Sequence, residues 1–255
     1  MTGTSDAQAL HRNHQAFWRH MARATDGSVT EIPGGLLVAT GIPAAPFNQL
    51  HCGPGEHDVA VLVRAAAHFE SRGLPWRICA GGPSAGVEAF TVARRSEPEP
   101  PHPIFTRALG RPEQPSVDGL TVSTARSARD MRAFIDCAAQ AHGYEPSLID
   151  SLLNPEAVAH DDFRFYLGRV DGECVAVSVG VREGDTVGVY FVGVRPGFQG
   201  RGYGRALTEQ ALFDGAESGA TTAVVQATPA GYPVCTEMGF EHVGDYHTWN
   251  LRLCV

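Results

Sequence analysis

The sequence predicts an α/β (α+β) protein: a mixed, mostly antiparallel sheet flanked by helices, with a second, smaller α/β domain at the N-terminus. Three observations carry this. Runs of alternating β-branched and aromatic residues follow one another around short Asp/Gly turns after residue 160. Stretches with apolar residues at three- and four-residue spacing flank those runs. A proline-dense segment, Ser96 to Asp118, divides the chain of 255 residues into two parts.

In the N-terminal part, the first residues read as a helix carrying His11, His14 and His20. Their spacing is not the i, i+4 of a helical metal site, so they are expected to be solvated side chains. Leu36 to Thr40 reads as a strand, and Val59, Leu62, Val63, Ala66 and Phe69 mark a helix ending by Gly73. WRICA (Trp76 to Ala80) and VEAFTVA (Val87 to Ala93) read as two more strands. Expected domains are 1–100, a Pro-rich linker over 101–118, and 119–255.

The C-terminal part opens with Ser127 and Asp130 in capping-box spacing, followed by a helix with one apolar face (Met131, Phe134, Ile135, Ala138) and a stop at Gly143. A short helix over Ser147 to Leu153, closed by Pro155, comes next. FRFYLGRV, CVAVSVGV and TVGVYFVGV then form a meander around Asp171-Gly172 and Glu183-Gly184. A glycine-rich loop, a helix (Tyr203 to Glu217), a strand (Thr221 to Thr228), a short helix and a last strand near His247 to Leu253 complete the order.

Composition narrows the function. A net charge of −8 without a basic stripe argues against nucleic acid as partner. No run approaches the roughly 18 apolar residues of a membrane span, and the N-terminus lacks a secretory pattern, so the expectation is a cytoplasmic protein without a membrane partner. The six cysteines show no paired spacing, which suggests neither a metal site nor a disulfide framework.

The glycine-rich loop carries the chemistry. In V-R-P-G-F-Q-G-R-G-Y-G-R, Gly200, Gly202 and Gly204 remove side chains between a strand and a helix N-terminus, where free amides and the helix dipole suit a pyrophosphate. Arg201 and Arg205 can add charge-assisted contacts. A phosphate loop of the G-K-S/T type needs a lysine that is missing here. A dinucleotide loop needs a third glycine one residue later and an acid after the next strand.

Gln199-Gly200-Arg201-Gly202-Tyr203-Gly204 resembles instead the coenzyme A signature Q/R-x-x-G-x-G/A of the GNAT superfamily of N-acetyltransferases, and Ala227 to Phe240 resembles that family's segment ending in G-F. The resemblance covers roughly the last 135 residues. It implies acetyl-coenzyme A as cosubstrate, without a metal, and an amine acceptor (a small molecule or a peptide N-terminus) acetylated by direct transfer in a ternary complex. Coenzyme A would bind Val192, Val194, Gln199, Gly200, Arg201, Gly202, Tyr203, Gly204, Arg205 and Thr228, with the acetyl carbonyl near the Val192 amide. The family's tyrosine, the acid that protonates the leaving thiolate, is replaced by Cys235; Tyr232 is the alternative acid. The base carboxylate of the strand is replaced by Gly188, with Tyr190 on the same side. Asp185, His242, His247 and the Val255 carboxylate are other candidate bases, or positioning alone suffices. A non-catalytic acyl-coenzyme A-binding regulator and a transferase of longer acyl chains are the competing readings. Residues 1–100, especially the stretch 47–80, look like a degenerate half of the same family, without the glycine loop, expected to wall the acceptor site.

Overall fold

A computed structural model describes residues 3–53, 55, 57–153, 162–228 and 231–253. The chain forms two compact units, Met1–Phe105 with Ala227–Tyr232 and His242–Val255, and Thr106–Gln226 with Pro233–Glu241.

The first unit contains α1 (Gly3–Ala24), β1 (Ser28–Ile32), β2 (Gly35–Ala39), β3 (Asn48–Cys52), α2 (Val59–Glu70), β4 (Trp76–Ala80) and α3 (Ala85–Ala93). Its strands lie in the order β1-β2-β3-β4-β11, where β11 is Glu241–Leu251 from the far end of the chain. β3 and β4 run parallel, joined by α2, and the other neighbours are antiparallel. Leu50 and Cys52 point into a core with Leu62, Phe69 and Trp76, which Trp249 and Leu251 of β11 complete. On the other face His51 meets α1.

Four expectations change here. VEAFTVA is the helix α3, because the Ser84 side chain accepts the Val87 amide and the buried Val87 and Thr91 fall four residues apart on one side. His11 and His14 of α1 are not the free solvated side chains expected. His14 is buried with its ring 5.0 Å from His51 and 5.2 Å from Tyr246, and Trp18 Nε1 donates to it at 3.0 Å. His11 meets the Tyr246 hydroxyl at 2.8 Å. The segment 101–118 is not all linker: β5 (His102–Ala108) occupies its first half, where Ile104, Phe105 and Thr106 are buried, and the chain passes between the units within that strand. The last strand, expected in the second domain, belongs to the first unit, held by its antiparallel register with β4 from His247↔Ala80 to Leu251↔Trp76.

The second unit contains β6 (Thr121–Thr124), α4 (Ala128–His142), α5 (Pro146–Leu152), β7 (Phe163–Val170), β8 (Glu173–Glu183), β9 (Thr186–Val194), α6 (Tyr203–Glu217), β10 (Thr222–Gln226) and most of α7 (Tyr232–Glu237). Strand order is β10-β9-β8-β7-β6, with β10 parallel to β9 and the rest antiparallel. The expected Ser127 cap and left-handed Gly143 stop bound α4, and Pro155 lies outside the described residues. α4 packs one face through Phe134 on Phe165, ring centroids 5.3 Å apart. α6 packs the other, so closely that a Cβ on Gly168, Gly180 or Gly215 would press on Leu207, on Ala211 or on Val187 respectively. Among the described residues no helix is long and apolar enough to cross a membrane.

The imidazoles of the first unit set its acid response. Burial, the largest cause in each, lowers His11 to about 4, His14 to about 3 and His51 well below 6.5. A folded pKa below the unfolded one means that full stability holds above pH 6.5 and is lost as pH falls, because only the unfolded chain takes up these protons. Denaturant melts should therefore give a flat midpoint above about pH 7 and a fall below it of up to roughly 1.4 kcal/mol per pH unit for each of these histidines. A midpoint unchanged down to about pH 5 would contradict this assignment.

Candidate active site

β9 is the strand on which the site is built. Its parallel register with β10 runs from Thr186↔Thr222 to Val189↔Val225 and stops there, while β9 continues to Val194. Against β8 the register is regular from Gly188↔Val181 to Tyr190↔Val179, and then slips. Gly193 faces Val177, so Phe191 and Val192 together oppose Ser178. This is a β-bulge, and Phe191 sits in it at φ 50°, a left-handed conformation that a phenylalanine adopts at a cost of ~1–3 kcal/mol. Val192 is thus taken out of the one-to-one ladder at the point where β9 and β10 part. Gly188 and Tyr190 do share a face. Tyr190 is half-buried, and desolvation pushes its phenol well above 10, so it is protonated at neutral pH.

After Val194 the chain turns through Arg195-Pro196-Gly197-Phe198, with the Phe198 amide donating to the Arg195 carbonyl at 3.1 Å and Gly197 at φ 86°. Proline followed by a left-handed glycine is the composition of a type II turn. Gln199 Nε2 ties the loop back to the Val194 carbonyl at 3.2 Å. Gly200 and Gly202 have φ of 74° and 79°, and a Cβ at either would meet nothing within 4 Å. Gly202 is the N-cap of α6 and offers no side-chain cap; its carbonyl accepts the Ala206 amide at 2.9 Å. The amides of Gln199, Gly200 and Gly202 have no acceptor among the described residues, and those of Tyr203 to Arg205 lack one because a helix leaves its first amides unpaired. Gly204 lets this end of α6 lie on β9, since its Cβ position is 3.5 Å from both Val192 and Val194. The result is an open cradle of N–H donors at a positive helix end, bordering the parted strands. It suits a pyrophosphate.

Arg201 and Arg205 are exposed, and the Arg201 guanidinium donates to the Gly197 carbonyl at 3.1 Å and lies over the Phe198 ring.

The remaining expected residues are divided between the two units. Cys235 belongs to the same unit, buried on α7 with its carbonyl accepting the Phe240 amide at 3.0 Å. Burial raises its thiol to about 11. Thr228 and Tyr232 belong to the first unit. The Thr228 carbonyl accepts the Tyr232 amide at 3.0 Å, and Tyr232 packs on Phe105 and His242. His242 and His247 are also in the first unit, His242 facing Asp245 at 3.1 Å. Asp185 lies in the turn before β9, about 23 Å along the strand from Val192 at ~3.3 Å per residue, which removes it as a base. Val255 lies outside the described residues. A groove of about 520 Å³ lined by Arg126, Arg164, Tyr166, Gln210 and Asp214 shares no residue with the cradle.

One polar side chain at the bulge was not legible in the sequence. His142, at the end of α4, hydrogen-bonds the Phe191 backbone and meets the Phe191 ring edge-on at 5.7 Å. A Cβ on Gly193 would stand 2.9 Å from its Nε2 and 2.8 Å from the Ala141 Cβ. A histidine in the last turn of a helix reads as a charge complementing the dipole. Only the docking of α4 on β9 brings it to the bulge.

The first unit repeats the strand–helix–strand crossover in β3, α2 and β4, without the cradle. β3 and β4 stay paired from Gln49↔Arg77 to Cys52↔Ala80, and the Asp58 carboxylate caps α2 by accepting the Ala60 amide at 2.9 Å. A negative side chain stands where the second unit presents free donors.

Comparison with known proteins bears on the family and the fold. The profile of the acetyltransferase (GNAT) domain matches residues 111–232. The chain is 31% identical to a mycothiol acetyltransferase of Streptomyces bingchenggensis, over 86% of this chain and 78% of that protein. Among solved structures, a GCN5-related N-acetyltransferase from Kribbella flavida superposes with a TM-score of 0.72 at 17% identity, covering 95% of each chain. A tandem GNAT protein from the clavulanic acid biosynthesis pathway superposes with a TM-score of 0.55 at 13% identity, covering 96% of each.

The burial of Cys235 has a measurable consequence. At about pH 7.5 a thiol of pKa about 11 is a thiolate in well under one molecule in a thousand. Alkylation by iodoacetamide should then be slower by roughly a hundredfold or more in the folded protein than in denaturant, read by peptide mass spectrometry at this cysteine. Equal rates in the two states would show a reactive, accessible thiol.

Proposed function

Because the chain belongs to the GNAT superfamily and is an acetyl-coenzyme A-dependent N-acetyltransferase, we propose that it transfers the acetyl group directly to the primary amine of a small molecule held beside the bulge of β9. The observation that carries this reading is the parting of β9 from β10 beside a cradle of unpaired amides. In it, the amides from Gln199 to Arg205 bind the pyrophosphate. The edge of β9 at Val192 and Val194 pairs with the pantetheine. The Val192 amide polarises the acetyl carbonyl, acting as an oxyanion donor that is already in place.

The amine attacks the carbonyl carbon, the C–N bond forms, and the C–S bond breaks with its electron pair going to sulfur. Positioning both substrates in one complex supplies much of the acceleration. Cys235 is better suited to shaping the site than to carrying the acyl group, since its thiol stays protonated near neutral pH. The 31% identity to a mycothiol acetyltransferase favours a small molecule over a peptide N-terminus and makes mycothiol-related amines the first acceptors to test.

Calorimetric titration of acetyl-coenzyme A tests the reading. Wild type should bind saturably, whereas Gly202→Glu should show no heat, because the substitution strains a φ of 79° and sets a carboxylate among the phosphate donors. Equal affinity of the two proteins would remove the cradle from the site. With an accepted amine, Cys235→Ala should retain kcat/KM within about a hundredfold; a larger loss at normal acetyl-coenzyme A affinity would restore Cys235 as a chemical participant.

A further inference from the structure

We propose that His142 is the general base of the transfer, accepting the proton that the acceptor nitrogen sheds as it bonds to the acetyl carbon. The inference rests on the acetyl-transfer reading above and adds a residue to it.

Its placement is specific. The imidazole lies beside Phe191 and Gly193, the two residues on either side of Val192, and therefore next to the amide assigned to the acetyl carbonyl. It approaches from the α4 side of β9, whereas Val192 and Val194 turn their side chains to Gly204 on the α6 side. In the neutral imidazole one ring nitrogen carries the hydrogen and the other keeps its lone pair. The side chain also retains solvent exposure, so an acceptor can reach it.

Charge state agrees with geometry. Desolvation, the larger cause, lowers the pKa of His142 below 6.5, and the Phe191 hydrogen bond only partly opposes it. Among the described residues no charged side chain of α4, β9 or the following loop contributes to that shift, and the titratable neighbour is Tyr144, with its ring 6.3 Å away. The imidazole is accordingly neutral and basic at neutral pH. It is a poor base toward a free ammonium ion but an adequate one toward a nitrogen already bonding to a carbonyl carbon, which is far more acidic. The proton passes from that nitrogen to the imidazole and from the imidazolium to the departing sulfur or to water. Net, one proton moves from nitrogen to sulfur, and no further reactant is needed.

The histidine could instead only brace the bulge. His142→Gln separates these roles, because its amide can still donate to the Phe191 backbone but has no basic nitrogen. With acetyl-coenzyme A and an accepted amine, this variant should bind acetyl-coenzyme A as wild type does and lose about a hundredfold in kcat. Below pH 6.5 its log kcat/KM profile should lose about one unit of slope relative to wild type, because one titrating group is gone. A kcat within about threefold of wild type, an unchanged acid limb, or a loss of acetyl-coenzyme A affinity would each overturn the assignment and leave the acetyl-transfer reading standing. Failure of wild type itself to bind acetyl-coenzyme A or acetylate any amine would overturn that reading, and this inference with it.

Discussion

The break in the hydrogen-bond ladder at Phe191 and Val192 is the constraint on which the site depends. A parallel pair of strands that stayed in register would bury every amide of β9 in the sheet and leave nothing to bind. Here β10 pairs only as far as Val189↔Val225, and the bulge opposes two residues of β9 to Ser178. The left-handed Phe191 costs free energy locally. That cost is offset by the packing on both sides of the strand, where α4 closes on Gly193 and α6 closes on Val192 and Val194 through Gly204. A larger residue at Gly193 would force α4 away and release the bulge. The glycines around β9 thus serve two purposes: those in the loop leave room for a ligand, and those under the helices set the helix distances.

The two crossovers within one chain form an internal comparison. Both units join parallel strands by a helix, and both helix N-termini carry the same positive dipole end. In the first unit Asp58 caps the helix with its own carboxylate, and the strands remain paired to Cys52↔Ala80. In the second unit Gly202 caps without a side chain, and the strands part. A shared topology therefore yields a ligand cradle in one case and a self-satisfied structural element in the other. The first unit instead buries His14 and His51, neutral imidazoles kept that way by desolvation.

Cys235 stands where the sequence resemblance puts the family's tyrosine, and it lies in the unit that carries the cradle. Burial nonetheless raises its thiol to about 11, away from nucleophilic reactivity. The other expected acid, Tyr232, is held in the first unit by Phe105 and His242.

The sequence by itself determined the elements that local chemistry specifies. Alternation and turn glycines specified β7, β8 and β9, the Ser127 cap and Gly143 stop bounded α4, and the glycine spacing after Val194 specified the cradle. Where local signals conflicted it misled: Val87 to Ala93 is rich in β-formers, yet the Ser84 cap and burial at i, i+4 make it a helix. Tertiary structure alone decided which distant segments meet. The pairing of β11 with β4, the slip of register at Phe191 and the approach of His142 to that bulge all depend on backbone hydrogen bonds and side-chain packing between residues far apart in sequence. Such contacts leave no periodicity, because a strand's partner and a helix's docking register are chosen by the shape of the whole core and not by the residues next in line.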